Sequence, residues 1–116
     1  MELESEELAR AMVDIVADKF GEDILLMDIR PVSTIADYFI LCSAASERQV
    51  DAIQGHILAE LSKVEVRPLH VEGTATSGWM LMDYGSVIAH VFLPTTRQYY
   101  KLEQLWKNAR IVVRML

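Results

Sequence analysis

A chain of 116 residues, 52 % of them hydrophobic, is long enough to close one core without a disulfide or metal staple, so a single folded domain over residues 1–116 is expected. The formal net charge of −6 argues against a dedicated nucleic-acid binder, which draws its affinity from Lys and Arg against phosphates, and suits a basic protein partner instead. The single cysteine, Cys42, excludes an internal disulfide and a Cys-rich zinc site, while an acidic N-terminus without a long apolar run argues against secretion or membrane insertion and for the cytoplasm.

Ser5 followed by Glu6 and Glu7 predicts a helix start, with acids where the helix dipole favours them. Leu8, Met12, Ile15 and Val16 then recur at helical spacing and Gly21 serves as a stop, which places a first helix over about residues 4–20. Apolar runs at 24–29 and 38–42, separated by Arg30-Pro31 and a polar turn, predict two strands. Ser46-Glu47-Arg48-Gln49 is a capping box in which the serine hydroxyl and the glutamine side chain satisfy orphan amides reciprocally. It opens a second helix with Val50, Ile53, Ile57, Leu58 and Leu61 on its apolar stripe, despite the helix-weakening Gly55. A third strand is expected over 66–71, where Pro68 marks a sheet edge or a bulge.

Residues 79–92 read as a β-hairpin that supplies strands four and five. Pro94 and Thr95 then break the sheet before a last helix, with Leu102, Leu105, Trp106 and Ala109 along one apolar face. Helix, two strands, helix, three strands, helix is the order of a single-domain α/β sandwich, with a mixed sheet of about five strands and flanking helices.

The hairpin carries more chemistry than a turn requires. Asp83-Tyr84-Gly85-Ser86 lies between two apolar runs, with Gly85 where a tight turn favours positive φ, so an acid and a phenol are expected at an exposed tip. If Tyr84 and Gly85 form the loop, Trp79 and His90 face each other; a bulge at Gly85 shifts that register by one residue. Plainer roles compete: Trp79 as a core aromatic, Asp83 as a turn former, His90 as a satisfied strand histidine. Tyr84 is harder to explain without a partner, because a large aromatic at a turn tip is not easily buried. Arg97 pairs either with Glu103 or with a partner, and Tyr100 either joins the core or lines a groove shared with the hairpin.

No catalytic, metal or cofactor site is expected. His56, His70 and His90 show no zinc-ligand spacing, and Asp28, Asp37 and Asp83 are scattered, with no Asp-x-Asp to hold magnesium between phosphates. Residues 43–46 lie between a strand and a helix but lack the glycines and lysine of a phosphate loop. Cys42 reads as a small buried hydrophobe.

Five signatures occur in one order: Ala36-Asp37-Tyr38-Phe39, residues 46–50, Val71-Glu72-Gly73, residues 79–92, and Arg97 with Tyr100-Lys101-Leu102-Glu103-Gln104-Leu105-Trp106. Together they resemble the ribosomal silencing factor family, also called Iojap-like proteins, over almost the whole chain. The resemblance implies a nucleotidyltransferase-like fold without catalytic residues. It also implies a translation repressor that binds ribosomal protein L-fourteen on the large ribosomal subunit and sterically blocks joining of the small one. Trp79, Asp83, Tyr84, His90, Arg97 and Tyr100 are then the candidate partner contacts, with direct nucleic-acid contact minor. Ser86 departs from the family, which commonly carries aspartate there, and lowers the negative charge at the turn. Two other readings are a nucleotidyltransferase-type enzyme acting on a nucleotide or RNA, and a homodimeric scaffold that uses the hairpin face. Clustered acids around a nucleotide-sized pocket favour the enzyme; an acid-rimmed aromatic patch favours the repressor.

Overall fold

The structure, a computed structural model, describes residues 4–101, 104 and 106–115. Its elements run α1 (Ser5–Asp18), β1 (Glu22–Asp28), β2 (Tyr38–Ser43), α2 (Glu47–Ser62), β3 (His70–Thr74), β4 (Trp79–Asp83), β5 (Val87–Phe92), α3 (Pro94–Tyr100) and β6 (Arg110–Met115). The strands form one mixed sheet in the order β3-β4-β5-β2-β1-β6, in which β2 and β5 are parallel and the other pairs antiparallel. Among the described residues no helix is long and apolar enough to cross a membrane.

The predicted helices form with small shifts at their ends. Glu4 rather than Ser5 is the N-cap of α1, and its backbone N–H donates to Glu7 Oε1. Leu8, Ala9, Met12, Val13, Ile15 and Val16 are the buried stripe. The left-handed residue that ends the helix is Phe20, at φ 61°, and not Gly21. Gly21 is needed for closeness instead, since a Cβ there would lie 2.4 Å from Val16 Cγ1.

At the start of α2 the Ser46 hydroxyl accepts from the Gln49 N–H at 3.2 Å, as the capping box predicts. The reciprocal half differs, because Gln49 Oε1 accepts from Ala45 N–H, one residue earlier than Ser46. Its amide nitrogen donates to the carbonyls of Lys19 and Phe20, at 3.1 and 2.8 Å. One side chain thus serves both the last turn of α1 and the first turn of α2, where orphan backbone groups need partners.

Three expectations about the sheet are corrected. The third strand begins after Pro68 rather than around it, although it is indeed an edge. The last helix does not run unbroken to Ala109: α3 ends at Tyr100, Lys101 turns left-handed at φ 50°, and Gln104 is helical again. Trp106 and Ala109 follow in turn and bend conformation, and Leu102 and Leu105 lie outside the described residues. A sixth strand, β6, then pairs with β1. Trp106 and Ala109 satisfy helical spacing in the sequence although they lie in a turn and a bend, and that spacing concealed the strand behind them.

Strand alternation divides the core in two. Leu26, Ile40, Cys42, Met80, Met82, Ala89 and Val91 point to the side covered by α1 and α2. Leu25, Met27, Phe39, Leu41, Ile88 and Phe92 point to the other side, where Trp79, Leu81, Trp106 and Ala109 form only a partial cover. This second face carries the candidate site.

Candidate functional site

Trp79, Leu81 and Asp83 alternate along β4 with the buried Met80 and Met82, and so stand on the face away from the helices. The Trp79 ring stacks on Phe92, with centroids 5.1 Å apart, and meets the Tyr100 ring at 4.9 Å. Tyr99 extends the row 5.1 Å beyond Tyr100, and these two tyrosines are 73 % and 53 % exposed. Glu72, Gly73, Trp79 and Leu81 line an adjoining groove of about 210 Å³. Gly73 lets the edge strand lie close, since at φ 83° a Cβ would sit 2.1 Å from the Trp79 carbonyl oxygen. The result is a half-exposed aromatic ridge with acids at its rim.

His90 orients the ridge from beneath. Its Nδ1 accepts from Trp79 Nε1 at 3.1 Å, so the neutral ring carries its proton on Nε2, which is buried with no partner among the described residues. Phe39 lies against the same imidazole at 4.8 Å. Burial disfavours the cation and pushes the pKa down from 6.5 to about 4. The unfolded chain therefore takes up the proton first as pH falls. The stability contributed by neutral His90 is complete above about pH 6.5 and is lost toward pH 4. Urea unfolding of the wild type and of His90→Gln at several pH values should show the wild-type advantage shrinking over that window; a constant difference would contradict it.

The candidate residues separate into two groups. Trp79, His90 and Tyr100 come together as described, with Asp83 on the same face and its Oδ1 accepting from Gly85 N–H at 2.7 Å, the bond of a turn former. The hairpin register is corrected: Trp79 lies opposite Phe92, and Leu81 opposite His90. Tyr84 N–H bonds to the Val87 carbonyl, so the loop is Gly85-Ser86 and not Tyr84-Gly85. Trp79 and His90 meet as diagonal neighbours on one face. The Ser86 carbonyl accepts from the N–H groups of Asp37 and Tyr38, which ties the turn to the start of β2.

Tyr84 does not reach this face, and Arg97 is buried at the end of β2 rather than presented to a partner. Tyr84 is 8 % exposed and belongs to the core beneath α1 and α2, so it is no exposed tip. Pairing with β5 turns its side chain inward with Met82, and burial raises the phenol pKa to about 12. Arg97 is buried, with Nη1 donating to the Asp23 carbonyl at 2.7 Å and to Ser43 Oγ at 3.0 Å. These bonds fasten α3 to β1 and β2; Glu103, its expected partner, lies outside the described residues.

Leu81, Glu72 and Tyr99 stand on this face and are absent from the six candidate contacts, although Glu72 and Leu81 lie within the signatures. Alternation two residues beyond Trp79 points to Leu81, whereas Glu72 depends on how β3 pairs. Asp28, one of the scattered acids, is engaged by Arg30 and Arg110, whose guanidinium groups hold its carboxyl down at about 2. Cys42 is buried, as expected, and its thiol is pushed up to about 12. Among the described residues no group of three His, Cys, Asp or Glu is placed to hold a metal ion.

Comparison with known proteins follows the same lines. The model of a family described as ribosomal silencing factor during starvation matches residues 2–115. The chain is 40 % identical to ribosomal silencing factor RsfS of Bacillus subtilis over 92 residues, covering 79 % of this chain and 78 % of that one. The crystal structure of a protein from Chromobacterium violaceum superposes with a TM-score of 0.86 at 30 % identity, over 90 % of this chain and 88 % of that one. A mouse protein named for mitochondrial assembly of the ribosomal large subunit is 29 % identical over 82 % of this chain and 43 % of its own length.

Proposed function

Since the chain belongs to the ribosomal silencing factor family, we propose that it is a non-enzymatic, cytoplasmic translation repressor that docks on ribosomal protein L-fourteen of the large subunit and blocks joining of the small one. The observation that carries this reading is the ridge of Trp79, Tyr100 and Tyr99 beside Leu81, rimmed by Glu72 and Asp83. Interface hot spots are enriched in Trp and Tyr, and acids at a rim steer a basic ribosomal protein into register. A protein bound on the joining face excludes the other subunit by volume alone. No bond need be made or broken.

Purified protein is expected to cosediment with free large subunits and not with small ones, and at saturation to abolish the peak of joined ribosomes in a sucrose gradient. Equal recovery on both subunits, or an unchanged peak, would remove the proposal. Turnover of nucleotides by the purified chain would replace it with the enzymatic reading.

A further inference from the structure

The aromatic face has a second half, and its charge is reversed. Residues 97–116 hold five of the eleven Lys and Arg of the chain but only one of its seventeen Asp and Glu. Two of these cations, Lys107 and Arg114, line a groove of about 260 Å³ on the β1 and β6 side, together with Leu25, Met27, Trp106 and Ile111. None of the described residues lining it is acidic, in a chain of net charge −6. The groove near β3 and β4 is instead lined by Glu72. The two grooves belong to one face and are linked through Trp79, Phe92, His90, Phe39 and Trp106, whose rings lie in successive contact.

We infer that the Trp106 groove is a contact for single-stranded RNA, taking one unpaired base against the indole while Lys107 and Arg114 meet the flanking phosphates. An aromatic floor with cations at its edge is the combination by which proteins hold single strands without sequence preference: the ring supplies a stacking platform and the cations follow the backbone. At about 260 Å³ the groove falls below the roughly 300–1,000 Å³ of sites that enclose a whole small molecule, and suits one flat group entering from outside. Trp106 is half-buried and meets Phe39 in a T-shaped contact, with centroids 5.5 Å apart, so one side of its ring has a partner before anything binds. The overall negative charge confines the contact to this patch. The inference therefore deepens the ribosomal reading: the acidic half of the face meets a basic protein, and the basic half meets RNA beside it.

The probe is a fluorescein-labelled oligoadenylate dodecamer, measured by anisotropy against the full chain over a range of salt. The charge reversals Lys107→Glu and Arg114→Glu together are expected to weaken binding at least tenfold. They should also reduce the slope of log affinity against log salt by about 1.4, from about 0.7 for each phosphate contact to a single strand. Arg48→Glu, an exposed cation on α2, should leave both unchanged. In the Trp79→Phe background Trp106 is the remaining tryptophan, and RNA should quench its emission. Equal binding by the double variant and wild type, or no quenching, overturns the inference, as does polyglutamate that binds as well as RNA, which would assign the groove to an acidic protein. Cosedimentation with large subunits is followed in parallel. Failed RNA binding with intact cosedimentation sinks this inference alone, whereas loss of cosedimentation by wild type sinks the docking proposal.

Discussion

Trp79→Ala should weaken binding to the large subunit by at least about 2 kcal/mol, roughly thirtyfold in dissociation constant. The indole fills the centre of the ridge: it stacks on Phe92, touches Tyr100 and is held in one orientation by His90. Removing it takes away the proposed anchor and also uncovers Phe92, so some folding stability should be lost with it. Two companions separate these effects. Tyr100→Ala removes a ring that is 53 % exposed and should reduce binding with little change in the urea midpoint. Trp79→Phe keeps a ring in the stack while deleting the donor to His90, and should bind between wild type and alanine. Calorimetric titration of purified L-fourteen into each variant measures the ladder directly. Wild-type affinity in both Trp79→Ala and Tyr100→Ala would move the docking surface elsewhere on the molecule.

Tyr84→Ala should be the most damaging of these changes to folding, with about 3 to 5 kcal/mol of stability lost, the range for truncating a buried aromatic. Tyr84→Phe should do the reverse. The hydroxyl is buried without a partner among the described residues, so removing it relieves an unsatisfied polar group and is expected to be neutral or stabilising by up to about 1 kcal/mol. Subunit binding by Tyr84→Phe should equal wild type, since the ring lies on the helix-covered side of the sheet. If Tyr84→Ala folds normally and loses binding, the residue acts at a surface after all and the inward orientation is wrong.

How much of this was legible in the sequence depended on the range of the interaction. The stripes of α1 and α2 follow from helical spacing alone, and the Ser46 cap from local hydrogen bonding. The hairpin was legible as a hairpin, but its register was not. Asp83-Tyr84-Gly85-Ser86 accommodates a loop at 84–85 or at 85–86, and the choice is made by what lies beneath Tyr84, namely a core assembled from α1, α2 and the strands they cover. Trp79 and His90 were paired for the wrong geometric reason and still meet, because diagonal neighbours on one strand face are close enough for an indole to reach an imidazole. From sequence Arg97 pairs either with Glu103 or with a partner; the docking of α3 at the ends of β1 and β2 instead buries it against Asp23 and Ser43. The strand β6 was hidden because its pairing partner is the first strand of the chain.

That pairing imposes an order on synthesis. The strand β1, apolar from Ile24 to Met27, is made early, yet one of its two ladders is closed only when residues 110–115 have been translated. Until then it is a long, unprotected edge, open to the wrong chain, the kind of template from which aggregation starts. A nascent or truncated chain that stops short of Arg110 should therefore need a chaperone to stay soluble. A chain of the ribosomal silencing factor family thus completes its sheet only once residues 110–115 have left the ribosome.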